Sequence, residues 1–164
     1  MKVGTHGGAR EAREEQVFRG VTQLALDNKG RLAIPAKHRE TLAARDDGHL
    51  VLTADPGHCL LLYPLSEWEP IQQRLMALSS FNDKLRSLQR LLVGHADDVV
   101  LDAAGRILVP PALRQYAALD RRVILVGQGN KFELWDEARW LERTSSAAVF
   151  PSGDLPPELD GFSL

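Results

Sequence analysis

Leu26-Asp27-Asn28-Lys29-Gly30-Arg31-Leu32-Ala33-Ile34-Pro35 returns 75 residues later as Leu101-Asp102-Ala103-Ala104-Gly105-Arg106-Ile107-Leu108-Val109-Pro110. The echo reaches an arginine four residues past each proline, Arg39 and Arg114. Further on, Leu62-Tyr63 and Trp68 are matched by Leu134-Trp135 and Trp140 at an offset of 72. The three-residue difference falls in the variable stretch between strands. The chain therefore holds two copies of one unit, residues 21–68 and residues 97–140, joined by connecting helices over residues 69–96. A solenoid needs at least three repeats. Two copies suggest a pseudo-twofold pair around one shared core.

Each unit has the same grammar. An apolar stretch (Val21–Leu26, Val99–Leu101) enters a four-residue turn. Asp favours the first position of such a turn, and Gly accepts the positive φ that tight hairpins need. A short apolar strand follows, Leu32–Ile34 or Ile107–Val109, and the proline then suits the first turn of a helix, where its missing N–H costs nothing. Those helices are expected over Pro35–Ala44 and Pro110–Ala118. Leu50–Thr53 with Cys59–Tyr63, and Val123–Val126 with Phe132–Trp135, read as hairpins. Ser66-Glu67-Trp68-Glu69 has the form of a capping box, and Trp68, Ile71, Leu75 and Leu78 continue at helical spacing. Asp136 is placed to cap the matching helix of the second unit. Leu85, Leu88, Leu91 and Leu92 mark a further helix ending at Gly94, equally suited to an internal or an oligomer contact. The expected fold is α+β: two ββαββα repeats forming one small β-barrel, with flanking helices.

The whole chain is 164 residues long, with 20 basic against 22 acidic residues and a net charge of −2. No apolar run reaches the ~20 residues of a membrane span. One cysteine, Cys59, excludes an internal disulfide framework and a cysteine-rich zinc site. His58 beside Cys59 makes no metal pair, because neighbours on a strand point to opposite faces. His38 and His95 have no ligand at suitable spacing either. No metal or other cofactor is expected. The near balance of charge argues against a nucleic-acid binder, but it averages unlike regions. Residues 135–164 carry −4, whereas residues 19–45 carry +4 through Arg19, Lys29, Arg31, Lys37, Arg39 and Arg45 against Asp27 and Glu40.

Taken structurally, the D-x-x-G-R element is a braced turn: Asp27 or Asp102 caps the turn amides, Gly30 or Gly105 permits the geometry, and Arg31 or Arg106 pairs with the carboxylate. Two copies, each followed by φ-x-φ-Pro and a spaced arginine, are far more specific than one. Together with Phe18-Arg19-Gly20, Leu91-Leu92-Val93-Gly94-His95-Ala96 and Gly127-Gln128-Gly129-Asn130-Lys131-Phe132-Glu133-Leu134-Trp135, they resemble the MraZ family from about Val17 to the C-terminus. That resemblance implies tandem SpoVT/AbrB-type domains with D-x-x-x-R motifs. It also implies a cytoplasmic, nucleoid-associated transcriptional regulator, expected to be a repressor, that binds repeated promoter boxes of its own division and cell-wall gene cluster. The regulator would be a ring-shaped homo-oligomer on double-stranded promoter DNA, with no membrane or small-molecule partner.

Carried over by position, Arg31 and Lys29 are the expected DNA contacts. A guanidinium suits both a phosphate and a guanine edge. Asp27 braces the turn, since a carboxylate facing phosphate is repelled. In the second copy Asn28-Lys29 becomes Ala103-Ala104, so the first repeat is expected to be the main DNA face. Arg106 is a candidate contact that can equally serve as an ion pair within the barrel. Trp68, Trp140, Tyr63 and Trp135 read as core rather than as base-stacking platforms.

Two rival functions follow from the same residues. An acid dyad of Asp27 and Asp102 would need one raised pKa, whereas the arginines lower both. No P-loop, G-x-S-x-G or Rossmann pattern is present, so the chain reads as a non-enzyme. A non-DNA oligomeric scaffold is the other alternative. Residues 1–16 read as a disordered extension, and Val17 stands where the family's initiator Met would be, as a GTG start codon would give. Residues 141–164 read as a helix end followed by an acidic, proline-rich tail.

Overall fold

The computed structural model describes residues 17–145 and 156–161. The extension expected at residues 1–16 and most of the tail lie outside them. Among the described residues there are eight strands: β1 (Phe18–Ala25), β2 (Arg31–Ala33), β3 (His49–Ala54), β4 (Leu60–Pro64), β5 (Asp97–Val100), β6 (Arg106–Leu108), β7 (Arg122–Gly129) and β8 (Phe132–Asp136). The helices are α1 (Ala36–Ala44), α2 (Leu65–Met76), α3 (Asp83–Leu92), α4 (Pro111–Tyr116) and α5 (Glu137–Ser145). The architecture is thus α+β with antiparallel pairing. Six strands form one sheet in the order β1-β7-β8-β4-β3-β5, and β2 with β6 forms a separate two-stranded ribbon. Exchanging each strand for its counterpart in the other repeat returns the same order, with β4 and β8 at the centre.

The two hairpins expected from sequence form, β3 with β4 and β7 with β8. The hairpin expected across each D-x-x-G-R turn does not. β1 pairs along its whole length with β7, Phe18 opposite Gly129 through Ala25 opposite Arg122, and β5 pairs with β3. Leu26 carries the β1–β7 pairing up to the turn by donating its N–H to Arg121 O at 2.8 Å. β2 has three residues against the eight of β1. It pairs instead with its own counterpart in the other repeat. The repeats therefore interleave.

The apolar runs are continuous because the sheet is covered on both faces. Alternate residues Leu50, Leu52, Leu60, Leu62, Val123, Leu125, Phe132 and Leu134 enter one large core, which also takes Leu32, Ile34, Leu42, Ile107, Val109 and Leu113 from the ribbon and helices of both repeats. Each such Leu or Ile stabilises the fold by about 1.5–3 kcal/mol when fully buried. His38 lies in this core with its ring edge-on to Phe132 at 4.9 Å and to Phe18 at 5.7 Å, and burial followed by the nearby Lys37 charge keeps its pKa below the usual value. The intervening residues face outward. Val51, Leu61 and Tyr63 meet Trp68 of α2, with Leu92 and Val93 at the end of α3. Cys59, Ile124, Val126 and Trp135 meet Trp140 of α5. The aromatic residues read as core are thus packed as core, and Leu91 and Leu92 pack within the chain.

The capping box at Ser66 is not formed. Helix α2 begins at Leu65, and the Ser66 N–H and hydroxyl both donate to Asp46 Oδ2, at 3.0 and 2.8 Å. The carboxylate of the preceding turn has taken over the helix start, and Arg45 ties it down through Glu67 at 2.7 Å. At α3 the cap comes from Asn82, whose side chain accepts from Lys84 N and Leu85 N. The Asp136 carboxylate accepts from Asp120 N at 3.1 Å.

Candidate nucleic-acid interface

Both D-x-x-G-R elements fold into the same braced turn. Asp27 N donates to Arg31 O, and Gly30 N to Asp27 O, each at 3.0 Å; Asp102 N to Arg106 O and Gly105 N to Asp102 O repeat this at 2.9 Å. Gly30 at φ +80° and Gly105 at φ +76° adopt the left-handed conformation that the turn requires. Asp27 Oδ1 accepts from Lys29 N and Arg31 N, at 2.9 and 2.8 Å, while Oδ2 accepts from Arg31 Nε at 2.7 Å. Asp102 does the same with Ala104 N, Arg106 N and Arg106 Nε, at 2.9, 2.9 and 3.0 Å. Hydrogen bonds from the Arg31 backbone and side chain hold the Asp27 pKa at about 2, and the equivalent bonds from Arg106 lower that of Asp102.

The ribbon decides where the arginines go. Leu32 opposes Ile107, and both are buried beneath the strands. Side chains alternate along a strand, so Arg31, Ala33, Arg106 and Leu108 share the outer face. Arg31 opposes Leu108 and Ala33 opposes Arg106. The two arginines are therefore diagonal neighbours, roughly 7–8 Å apart at the backbone. Each ion pair uses Nε, and both arginine side chains remain about one-third accessible, 33% for Arg31 and 36% for Arg106.

From the sequence, Arg31 is the first candidate contact and Arg106 a second candidate that can also serve as an ion pair within the barrel. In the fold both make the same pair and stand on the same face. The real difference is at the ribbon's ends: Asn28 and Lys29 are exposed at one, Ala103 and Ala104 at the other. The two aspartates sit at those opposite ends as well, each occupied by its own arginine.

Sequence reasoning also left Arg39 and Arg114 without a role. Arg39 lies against Gly105, and Arg114 against Gly30, so each arginine packs on the turn of the other repeat. The matched spacing marked them as a pair, but only the interleaved strands show what they touch. Elsewhere, Cys59 is buried and its thiol pKa is pushed up by burial and by the Glu133 and Asp55 carboxylates. Among the described residues no cluster of His, Cys, Asp or Glu is gathered as a metal site, and no helix is long and apolar enough to cross a membrane.

The model of the family described as "MraZ protein, putative antitoxin-like" matches residues 17–91 and again residues 92–154. A protein of Nitrosospira multiformis named "Transcriptional regulator MraZ" is 60% identical over 148 residues, 90% of this chain and the whole of that protein. Proteins of the same name from Thiobacillus denitrificans and Pseudomonas savastanoi pv. phaseolicola are 55% and 52% identical, again over 90% of this chain and their full lengths. With both halves matched by one family model and relatives aligned across nearly all of the sequence, this chain belongs to the MraZ family.

Proposed function

We propose that this chain is a DNA-binding transcriptional regulator that presents the outer face of the β2–β6 ribbon to promoter DNA. The observation that carries the reading is the placement of Arg31 and Arg106 side by side on that one accessible face. The major groove of B-DNA admits a two-stranded ribbon, and a guanidinium can bind a guanine edge through two hydrogen bonds. With Nε held by the aspartate, the terminal amino groups are the ones that meet a base or phosphate. Lys29, exposed at the tip of the first turn, adds a phosphate contact. Leu108, 53% exposed on the same face, is suited to a thymine methyl.

On this reading the protein acts on the nucleoid in the cytoplasm, at repeated boxes upstream of its own division and cell-wall gene cluster. The relatives' printed name supports a transcriptional regulator, and the family resemblance implies the gene cluster and the location. The two repeats, 21–68 and 97–140, form one small barrel about a pseudo-twofold axis, with the ribbon lying across the ends of the curled sheet; the core shared by both repeats supports it. Copies assemble into a ring, for which Phe81, 97% exposed between α2 and α3, and Val21, 57% exposed on the β1 edge, supply apolar surface. Ring assembly answers the low charge of each chain, because linked sites raise avidity by ~10²–10⁴. The low pKa of both aspartates speaks against an acid dyad sharing a proton.

The test is binding to the DNA upstream of the chain's own gene, measured against salt. Arg31→Ala and Arg106→Ala are each expected to weaken specific binding by about 1–3 kcal/mol, roughly 5- to 150-fold. Lys29→Ala should lower the salt slope by about one phosphate. Folded variants of both arginines that bind like the parent would remove the ribbon from the interface. A scaffold that does not bind DNA would show no salt-dependent shift.

A further inference from the structure

The two arginines that lie four residues past the prolines point away from their own turns. Arg39, in α1 of the first repeat, places its guanidinium where a side chain on Gly105 would have to go: a Cβ there would meet Arg39 Nε and Cδ and stand 2.9 Å from Cζ. Arg114, in α4 of the second repeat, does the same at Gly30, with Cζ at 2.7 Å and Nε and Nη1 at 2.9 Å from the corresponding position. The glycine of each turn is thus required by its positive φ, and the arginine of the opposite repeat fills the space beside its Cα. At Gly105 the backbone closes the contact into a loop. Ile34 donates its N–H to Gly105 O at 2.9 Å, and its carbonyl accepts from Arg39 Nε and Nη2, at 3.3 and 2.9 Å. Gly105 is held at its carbonyl by Ile34 and on its Cα by the guanidinium that Ile34 anchors. At the other end Val109 N donates to Gly30 O at 2.9 Å and Arg114 covers Gly30, but Arg114 Nε is buried without a hydrogen-bond partner.

We infer that Arg39 and Arg114 are positioning residues, each fixing the DNA-facing turn of the repeat to which it does not belong. The inference rests on the ribbon reading above for its effect on DNA, but the clamp itself is a statement about the two turns. Arg39 orders residues 102–106 and so aims Arg106; Arg114 orders residues 27–31 and so aims Arg31. The clamp on the second turn is the tighter, because Arg39 has the carbonyl anchor.

Amide hydrogen exchange on the full chain reads the clamp without DNA. Arg39→Ala should speed exchange at Ala104 and Arg106 while sparing Lys29 and Arg31, and Arg114→Ala should do the reverse. A variant that loosens its own repeat's turn, both turns equally, or neither, overturns the inference. Affinity for the upstream DNA then separates positioning from contact. If Arg39 acts through the second turn, Arg39→Ala should weaken binding nearly as much as Arg106→Ala, and the double variant should bind within about twofold of Arg106→Ala alone. Losses that multiply would make Arg39 a DNA contact and overturn the positioning role. Arg39→Lys keeps the charge but lacks the planar fork, so it should resemble Arg39→Ala in both measurements; full rescue by lysine would overturn the proposal. If Arg106→Ala and Arg31→Ala leave DNA binding untouched, the ribbon reading fails, while the exchange result still decides the clamp.

Discussion

Asp27 and Arg31 divide their labour by atom. One carboxylate oxygen serves the backbone N–H groups of the turn, and the other holds Arg31 through Nε rather than through the terminal groups of its guanidinium. A carboxylate so placed accepts all three bonds at full strength only when ionised, which sets the pH behaviour. Its folded value of about 2 lies below the ordinary 3.8, so the bracing is fully present above about 4 and is lost as pH falls through about 2. An NMR titration of the Asp27 carboxyl should have its midpoint near 2, with the Lys29 and Arg31 amide signals moving in step. A midpoint at the ordinary carboxyl value would mean that the turn is not braced this way. This role was legible in the sequence, because every bond of the brace lies within five consecutive residues.

At the scale of the element, the turn and the ribbon were not equally legible. The turn's residues name its geometry, but not the pairing of the strands it joins, because a local hairpin and an exchange between repeats use the same turn. What distinguishes them is a partner in the other repeat, β7 for β1 and β6 for β2, which no local pattern specifies. Recognising that partners are swapped also explains the glycines in a testable way. Gly30, Gly105 and Gly129 share a φ of +76° to +80°, yet nothing lies within 4 Å of a Cβ at Gly129, whereas arginines stand against the other two. Gly129→Ala should therefore cost only the left-handed penalty of about 1–2 kcal/mol. Gly30→Ala and Gly105→Ala should cost more, and chemical denaturation of the three variants gives the difference directly. Equal losses would mean that the arginines move aside freely. The expected capping box failed for a related reason: Asp46, twenty residues upstream of Ser66, supplies the oxygen that local sequence had assigned to the helix itself.

For the whole molecule, the interleaving sets what can fold alone. Without the second repeat, β1 loses β7, β2 loses β6, β3 loses β5 and β4 loses β8. A fragment of residues 17–91 should therefore show no cooperative monomeric fold by circular dichroism and sedimentation; it should be unfolded, or pair with a second copy of itself. A stable monomer would contradict the shared core. The composition of that core was readable from the apolar runs, and so was the doubling of the unit. The partner of each strand was not, since β2 and β6 share one pattern of buried and exposed positions, which a local or an exchanged pairing satisfies equally. The ribbon is where this symmetry is broken most visibly. Two arginines related by a twofold would meet a groove equally well in either direction, but Lys29 and Asn28 stand at one end and two alanines at the other. Because both copies belong to one chain, the two ends carry different residues, which a dimer of identical chains cannot do. The ribbon thus has a front and a back, and in the groove proposed for it the two directions of approach would not be equivalent.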